Sequence, residues 1–443
     1  MRKRIVTPAG VDVRPPCGAP ISAVLLAVVI CTGPLWPDVA IAEGGGELRL
    51  AEVLSEARER NPELRAARAR ADAMAAVPAQ VSAYDDPTLS YEAWNVPESL
   101  RIDRADNNIF RLSQKIPFPG KRGLAGEIAR RDAARSSHDV GSVELELDAA
   151  VKRAFYELWE AHARLAVFTR EKELVERFTR IAEQRYATGE ATQSDVLRAQ
   201  VELTHLINRL QTEPLVIESD RAELNALLSR GPEEPLGEPE DPAPPLLHDR
   251  AAALAELAIE KRPDIAAQGE AIAREESAVQ LAQRNHLPDF ELSVGRFVNY
   301  GQNDGFGAMA SITLPFVNGA KYDAGVAEAS ARLAAEKAER RRLEDRVRRE
   351  VEQAYLRART GLLQHRLFVD THIPQAEQAL RVTESGYESG AVGFLDLIDT
   401  LRRLELVHLD HIAAQAEFEK AYADLERVVG VELPRTASEA QHD

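Results

Sequence analysis

The side chains best placed for chemistry are carboxylates that follow two matching turns. Asp195 ends the stretch Arg185-Tyr186-Ala187-Thr188-Gly189-Glu190-Ala191-Thr192-Gln193-Ser194-Asp195. Asp396 and Asp399 follow Gly386-Tyr387-Glu388-Ser389-Gly390-Ala391-Val392-Gly393. Tyr, Gly and Asp recur at the same internal spacing, 201 residues apart. Asp396 and Asp399 are three residues apart, so a helix puts both carboxylates on one face, where they raise the local negative potential and favour cations. The plain alternative is that acidic side chains stabilise the start of a helix through its dipole. These residues alone leave both open.

Other candidate groups carry less. His408, Asp410 and His411 form the one dense His/acid cluster, and the two histidines, three apart, could ligate a metal. A solvated helical face is the preferred reading. Arg340-Arg341-Arg342 and Arg346-Val347-Arg348-Arg349 lie in a Glu-containing helix and read as salt-bridged surface, with anion attraction the lesser option. There is no Gly-rich phosphate loop, paired-Cys motif or nucleophile elbow. An enzyme is therefore not expected, nor a cofactor or bound metal. The net charge of −17 argues against nucleic acid, which demands a basic footprint.

The elements that must position the carboxylates are long helices. Gly189 reads as a helix stop and Thr192 or Ser194 as the next N-cap. A turn repeated at this separation means one design used twice. Gly120–Ala187 contains no proline and predicts a helix roughly 100 Å long. Its copy Ala320–Tyr387 contains Pro374, which predicts a kink. Apolar residues run through both at three-four spacing: Val151, Phe155, Leu158, Leu165, Phe168, Val175 and Phe178 in the first, Val351, Tyr355, Leu362, Leu367 and Phe368 in the second. Such narrow stripes have coiled-coil character. Returning helices are expected over Ser194–Leu228, broken at Pro214, and over Leu395–Val429.

Ahead of each long helix stand a shorter helix and two strands. The helices are Leu48–Ala83, interrupted at Asn61-Pro62, and Leu254–Asn285, interrupted at Arg262-Pro263. Leu89, Tyr91 and Ala93 alternate with Thr88, Ser90 and Glu92; Phe110, Leu112 and Ile116 share a face. Phe290, Leu292 and Val294 alternate with Glu291, Ser293 and Gly295, and Ala308, Ala310, Ile312 and Leu314 with Gly307, Met309, Ser311 and Thr313. These read as two β-hairpins, each strand near the ~9–11 residues that cross a bilayer when tilted.

Residues 1–42 read as an export signal, with Arg2, Lys3, Arg4 and Arg14 before the apolar run Ile21–Ile30 and Ala40-Ile41-Ala42 as the cleavage site. The run is too short to span, and Cys31 follows bulky residues unsuited to lipidation. Both cysteines, Cys17 and Cys31, lie in this segment, so the mature chain is expected to be thiol-free. The domain reading is signal 1–42, first repeat 43–230, Pro/Glu-rich linker 231–248, second repeat 249–433 and polar tail 434–443.

Four strands cannot close a barrel, and open edges are not tolerated in lipid, where the smallest barrels need about eight strands. If the strands span a membrane, several chains must pool them. The non-membrane alternative is a periplasmic coiled-coil scaffold or adaptor without channel activity, which leaves the hairpins unexplained.

The order of elements, the duplication and the two Tyr-x-x-Gly turns followed by Asp resemble the TolC-like outer-membrane efflux duct family, over nearly the whole mature chain. Asn61-Pro62-Glu63-Leu64 is similar to family sequence, and Gln114-Lys115-Ile116-Pro117-Phe118-Pro119-Gly120-Lys121-Arg122 is similar to the branch serving heavy-metal cation exporters. The resemblance implies a mainly α fold with a transmembrane β part, a homotrimeric α-barrel continuing a twelve-stranded β-barrel in outer-membrane lipid. It implies passive conduction from an RND-type inner-membrane pump and a periplasmic adaptor, with closure at the helix tips around Gly189 and Gly390. On the family pattern, Asp195 with Tyr387, and Ser194, are tether positions, and Asp396 and Asp399 the constriction ring. Where the family's other tether carries an Arg opposite the Ser194 hydroxyl, this chain has Val392.

Overall fold

The computed structural model describes residues 46–98, 102–243, 246–247, 250–299 and 301–434. The expected export signal with both cysteines, and all but the first residue of the polar tail, lie outside the described residues.

Helices α1 (Leu50–Arg60) and α2 (Pro62–Val81) meet at Asn61. The Asn61 side chain accepts from the Glu63 and Leu64 amides while Pro62 takes the first helical position, where its missing N–H costs nothing. Their counterparts α5 (Ala251–Lys261) and α6 (Pro263–Arg284) meet at Arg262. No side chain caps this second junction; the Arg262 guanidinium instead ties Asp264, Glu350 and the Val428 carbonyl together.

Strands β1 (Thr88–Trp94), β2 (Asn107–Ile116), β3 (Phe290–Asn299) and β4 (Gly305–Ile312) form one antiparallel sheet in sequence order. Register pairs Leu89 with Leu112, Leu112 with Val294 and Val294 with Ala308. Tyr91, Phe110, Arg296 and Phe306 line up one step nearer the hairpin ends. One face is therefore mostly apolar, with Gln114 and Arg296 its polar members and the aromatics Tyr91, Phe110 and Phe306 at one margin, and the other carries Ser90, Arg111 and Ser293. The alternation expected of the four strands holds across the whole sheet. The outer edges of β1 and β4 have no strand partner among the described residues.

After the sheet each half runs into a long helix. Helix α3 (Lys121–Ala187) is continuous for 67 residues, and α4 (Gln193–Leu227) returns along it. Pro214 does not break α4, contrary to expectation. Its missing amide is one lost bond, and the segment is held on α3 by buried Glu213, which accepts from Arg164 at 2.8 Å. In the second half α7 (Gly319–Leu367) passes through a π-helical turn, Phe368–His372, into α8 (Ile373–Glu388), and α9 (Phe394–Val429) returns. The π turn ends two residues before Pro374, at the place of the expected kink, and interrupts the regular helical hydrogen-bond ladder there.

Apolar packing is divided into separate clusters along the helices. One joins α5, α7 and α9 around Leu254, Val351 and Phe418; another joins α1, α3 and α4 around Val53, Phe155 and Leu224. A third sits at the turns, around Phe178, Leu206, Tyr387 and Leu401. Most residues of the expected stripes fall in these clusters, but Leu165 is half-buried and Leu367, at the entry to the π turn, is 49% exposed. The linker is pinned to the first half: Leu48 donates to Glu238 O at 2.7 Å and accepts from Glu240 N at 3.0 Å, and Trp159 Nε1 donates to Asp241 at 3.0 Å.

Candidate functional site

Both turns have the same backbone. Gly189 and Gly390 adopt φ of +80° and +78°, a left-handed conformation that glycine takes without steric cost. In the first turn the Arg185 carbonyl accepts from Glu190 N and Ala191 N at 2.8 and 3.1 Å; in the second, the Gly386 carbonyl accepts from Ala391 N and Val392 N at 2.8 and 3.1 Å. Arg185 and Gly386 are thus equivalent positions with the same main-chain role. A Cβ on Gly386 would lie 2.5 Å from Val392 Cγ2, so glycine here lets Val392 lie flat against the turn.

The helices that leave the turns start differently. Thr192 is the N-cap of α4 and forms a capping box with Asp195. The Asp195 carboxylate accepts from Thr192 N at 3.0 Å and from the Thr192 hydroxyl at 2.8 Å. Gly393 caps α9 without a side chain, so Asp396 receives no such hold. Asp396 and Asp399 are both exposed while Leu397 and Ile398 between them are buried. The expected shared face of the two carboxylates is present, turned away from the packed core. Asp399 also meets Arg403 at 3.2 Å.

The expected hydrogen bond between Asp195 and Tyr387 is not formed. The Asp195 carboxylate is committed to its own cap, and the Tyr387 hydroxyl is buried with no hydrogen-bond partner among the described residues. The two remain neighbours. Burial raises the Tyr387 phenol above its ordinary pKa, with the Asp195 charge adding to the rise and the Arg185 cation opposing it. Ser194 is exposed on a groove with Leu197, Val201, Leu395 and Arg402, and does not join the turns.

The link between turns comes from Arg185, which sequence reasoning missed. Its Nη1 donates to the Tyr387 carbonyl, and its guanidinium lies over the Tyr387 ring at 4.9 Å. Higher up, Arg177 of α3 meets Glu384 of α8 at 2.8 Å. Across the other seam Arg402 Nε of α9 donates to Glu202 of α4 at 2.9 Å, and Arg209 of α4 pairs with Glu405 of α9. Glu202 and Glu405 are almost fully buried, so these pairs work in a reduced dielectric. Glu171 of α3 is buried too, and desolvation pushes its carboxyl up to about 7, with the Glu202 charge adding and Arg170 opposing.

The histidines do not assemble a metal site. His365 and His411 stack at 4.9 Å beside the π turn, and among the described residues no three His, Cys, Asp or Glu side chains converge to hold an ion. Burial, then the charges of His365 and His408, push His411 down to about 4. The arginine run is ion-paired surface, as expected: Arg340 meets Glu344 at 3.0 Å and Arg348 meets Asp345 at 3.6 Å. No helix among the described residues is long and apolar enough to cross a membrane.

This geometry has known relatives. The family model for outer membrane efflux proteins matches residues 53–216 and 254–431. The cobalt-zinc-cadmium resistance protein CzcC of Cupriavidus metallidurans is 25% identical over 412 residues, spanning 90% of this chain and 94% of CzcC. Protein CyaE of Bordetella pertussis is 26% identical over 277 residues, spanning 60% of this chain and 58% of CyaE. Among solved structures, CusC superposes with a TM-score of 0.73 at 14% identity, covering 90% of this chain and 96% of CusC. The outer membrane protein VceC of Vibrio cholerae gives 0.70 at 19% identity, covering 87% and 97%.

Proposed function

The chain belongs to the outer membrane efflux protein family, and from that membership we propose that three copies form the duct of a tripartite efflux system. The observation that carries this reading is the open sheet. It has one mostly apolar face, two edges without a strand partner among the described residues and long helices leaving it, and lipid tolerates no unpaired edge. Three four-stranded sheets joined edge to edge, β1 to the next copy's β4, close a twelve-stranded barrel with the Leu89–Leu112–Val294 face in lipid and the Arg111–Ser293 face lining water. A coiled-coil scaffold or adaptor has no use for such a face.

In this reading the helices continue the duct into the periplasm, and the turns around Gly189 and Gly390 form its inner mouth, facing a periplasmic adaptor and an inner-membrane pump of the RND type. Asp396 and Asp399 face the lumen, so three chains gather six carboxylates and favour cations. Asp195, Ser194 and Tyr387 belong to the closing surface, with Asp195 holding the start of its own helix through Thr192. The domain reading follows: an exported chain with its leader at 1–42, a first repeat at 43–230, a crossing linker at 231–248, a second repeat at 249–433 and a tail from 434. The likeness to CzcC supports heavy-metal cations as cargo.

The experiment is expression from the full gene in a Gram-negative host, with fractionation, gel analysis without heating and recording in planar bilayers. Heat-resistant trimers in the outer-membrane fraction that conduct ions are expected. A soluble periplasmic monomer would falsify the reading. Deleting the gene should lower tolerance of zinc, cobalt or cadmium, and unchanged tolerance of all three removes the metal cargo.

A further inference from the structure

We propose that Arg185 is the latch that holds the two turns of a protomer together, in the role that the absent Arg at position 392 leaves open. The proposal rests on the gated-duct reading and deepens it. Arg185 stands in the last turn of α3, and its side chain is only 19% exposed although it sits at the end of the molecule's longest described helix. The main chain of this residue closes its own turn through two amides, while its side chain reaches the other turn. One residue therefore ties both.

The grip on the second turn has three parts. Nη1 donates to the Tyr387 carbonyl, which belongs to the last turn of α8 and lies at the negative end of that helix dipole. The guanidinium also lies over the Tyr387 ring, adding cation–π attraction in a desolvated place. Nη2 comes within 3.2 Å of where a Cβ on Gly390 would stand, so the left-handed glycine also clears room for the cation. Glu190 Oε2, 3.6 Å from Nε, flanks the guanidinium from its own turn. The position equivalent to Arg185 in the second turn is Gly386, which has no side chain to offer in return. The latch is one-sided, from α3 to α8.

Its place gives it leverage. Arg177–Glu384 binds the same two helices two turns further from the mouth, and Arg402–Glu202 binds α9 to α4. Any motion that swings α8 and α9 away from α3 and α4 separates the ends first, so the Arg185 contact must break before the mouth widens. The Tyr387 hydroxyl takes no part, since it has no hydrogen-bond partner among the described residues. That separates this latch from an Asp195–Tyr387 tether.

The test is single-channel recording on full-length trimers carrying Arg185→Met, Arg185→Gln or Tyr387→Phe, each checked for heat-resistant trimers in the outer membrane. Arg185→Met removes every donor at similar length and should raise open probability about tenfold, the factor that loss of a charged hydrogen bond is worth. Arg185→Gln carries the same expectation if the methionine variant does not assemble. Tyr387→Phe keeps the ring and the carbonyl and should stay as closed as the parent. Parent-like closure in both Arg185 variants overturns the latch while leaving the duct intact. Opening in Tyr387→Phe as wide as in Arg185→Met overturns it in favour of the hydroxyl tether. A parent protein that neither trimerises nor conducts removes the duct reading and the latch together.

Discussion

Asp195 and Asp396 occupy the same position, third in a helix that leaves a tip turn, yet only Asp195 is held by its neighbour. Thr192 supplies the hydroxyl and amide that engage Asp195, and Gly393 supplies no side chain to engage Asp396. One substitution at the cap thus divides a duplicated carboxylate into a structural copy and a free one. The free copy sits beside Asp399 on the exposed face, where the proposed cation-attracting ring would need it.

Gly393→Thr should rebuild the capping box at α9 and draw Asp396 into it. Glycine is itself a fair N-cap, so the expected gain is about 0.3 kcal/mol in helix stability. Cation selectivity, read as the reversal potential in a salt gradient, should fall toward that of Asp396→Asn. The mirror change, Thr192→Ala, should cost about 1 kcal/mol and leave selectivity unaltered. A reversal potential unmoved by both Gly393→Thr and Asp396→Asn removes Asp396 from the lumen.

How much of this was legible in the sequence differs from part to part. Strand faces, the duplication, the interruption of the helix before Pro374 and the two turns are set by period, proline and glycine, which act within a few residues, and the structure has all of them. Asp195's capture was only half legible: Thr192 stood beside Ser194 as a possible cap, but the resemblance assigned the carboxylate to Tyr387, and the structure gives it to Thr192. Arg185 was not legible. Its target lies 202 residues away, and a long side chain's reach depends on how α3 settles on α8. Pro214 misled for a related reason: propensity marks a break, but packing against α3 carries the helix through.

The seam between α4 and α9 should depend on matched charges. Arg402→Met leaves the Glu202 carboxylate, 6% exposed, without its partner. Full burial of both groups would cost ~3–5 kcal/mol, but Arg402 is about half in water, so about 1–2 kcal/mol is expected. Glu202→Arg combined with Arg402→Glu should recover most of it. Thermal midpoints of the trimer give the comparison, and a charge swap no better than the single change sinks the pairing.

Glu171 makes stability depend on pH. Its carboxyl titrates near about 7 when folded, against 4.5 as the ordinary value. Between these values the folded chain keeps a proton that the unfolded chain releases, so stability falls as pH rises from about 4.5 to 7 and is flat above. Glu171→Gln should match the parent at pH ~4 and exceed it at pH ~8 by on the order of 3 kcal/mol. Parallel pH profiles of the two proteins in thermal unfolding would contradict the assignment.

The two faces of the sheet should respond oppositely to charge. Val294 lies mid-strand on the apolar face beside Leu112 and Ala308, and it is 60% exposed in the isolated chain. Arginine there meets only the neutral Gln114 within the band between the Tyr91–Phe110–Phe306 row and the helices, and should cost about 2–4 kcal/mol in a bilayer. Met309 pairs with Ser293 on the other face, where a side chain meets water in a closed barrel. Met309→Arg should therefore insert and trimerise like the parent, shifting only ion selectivity. Outer-membrane trimer yield and urea midpoints in lipid vesicles read both. If Met309→Arg is the damaging change and Val294→Arg the silent one, the sheet faces the other way. The Leu89–Leu112–Val294 face would then line the lumen.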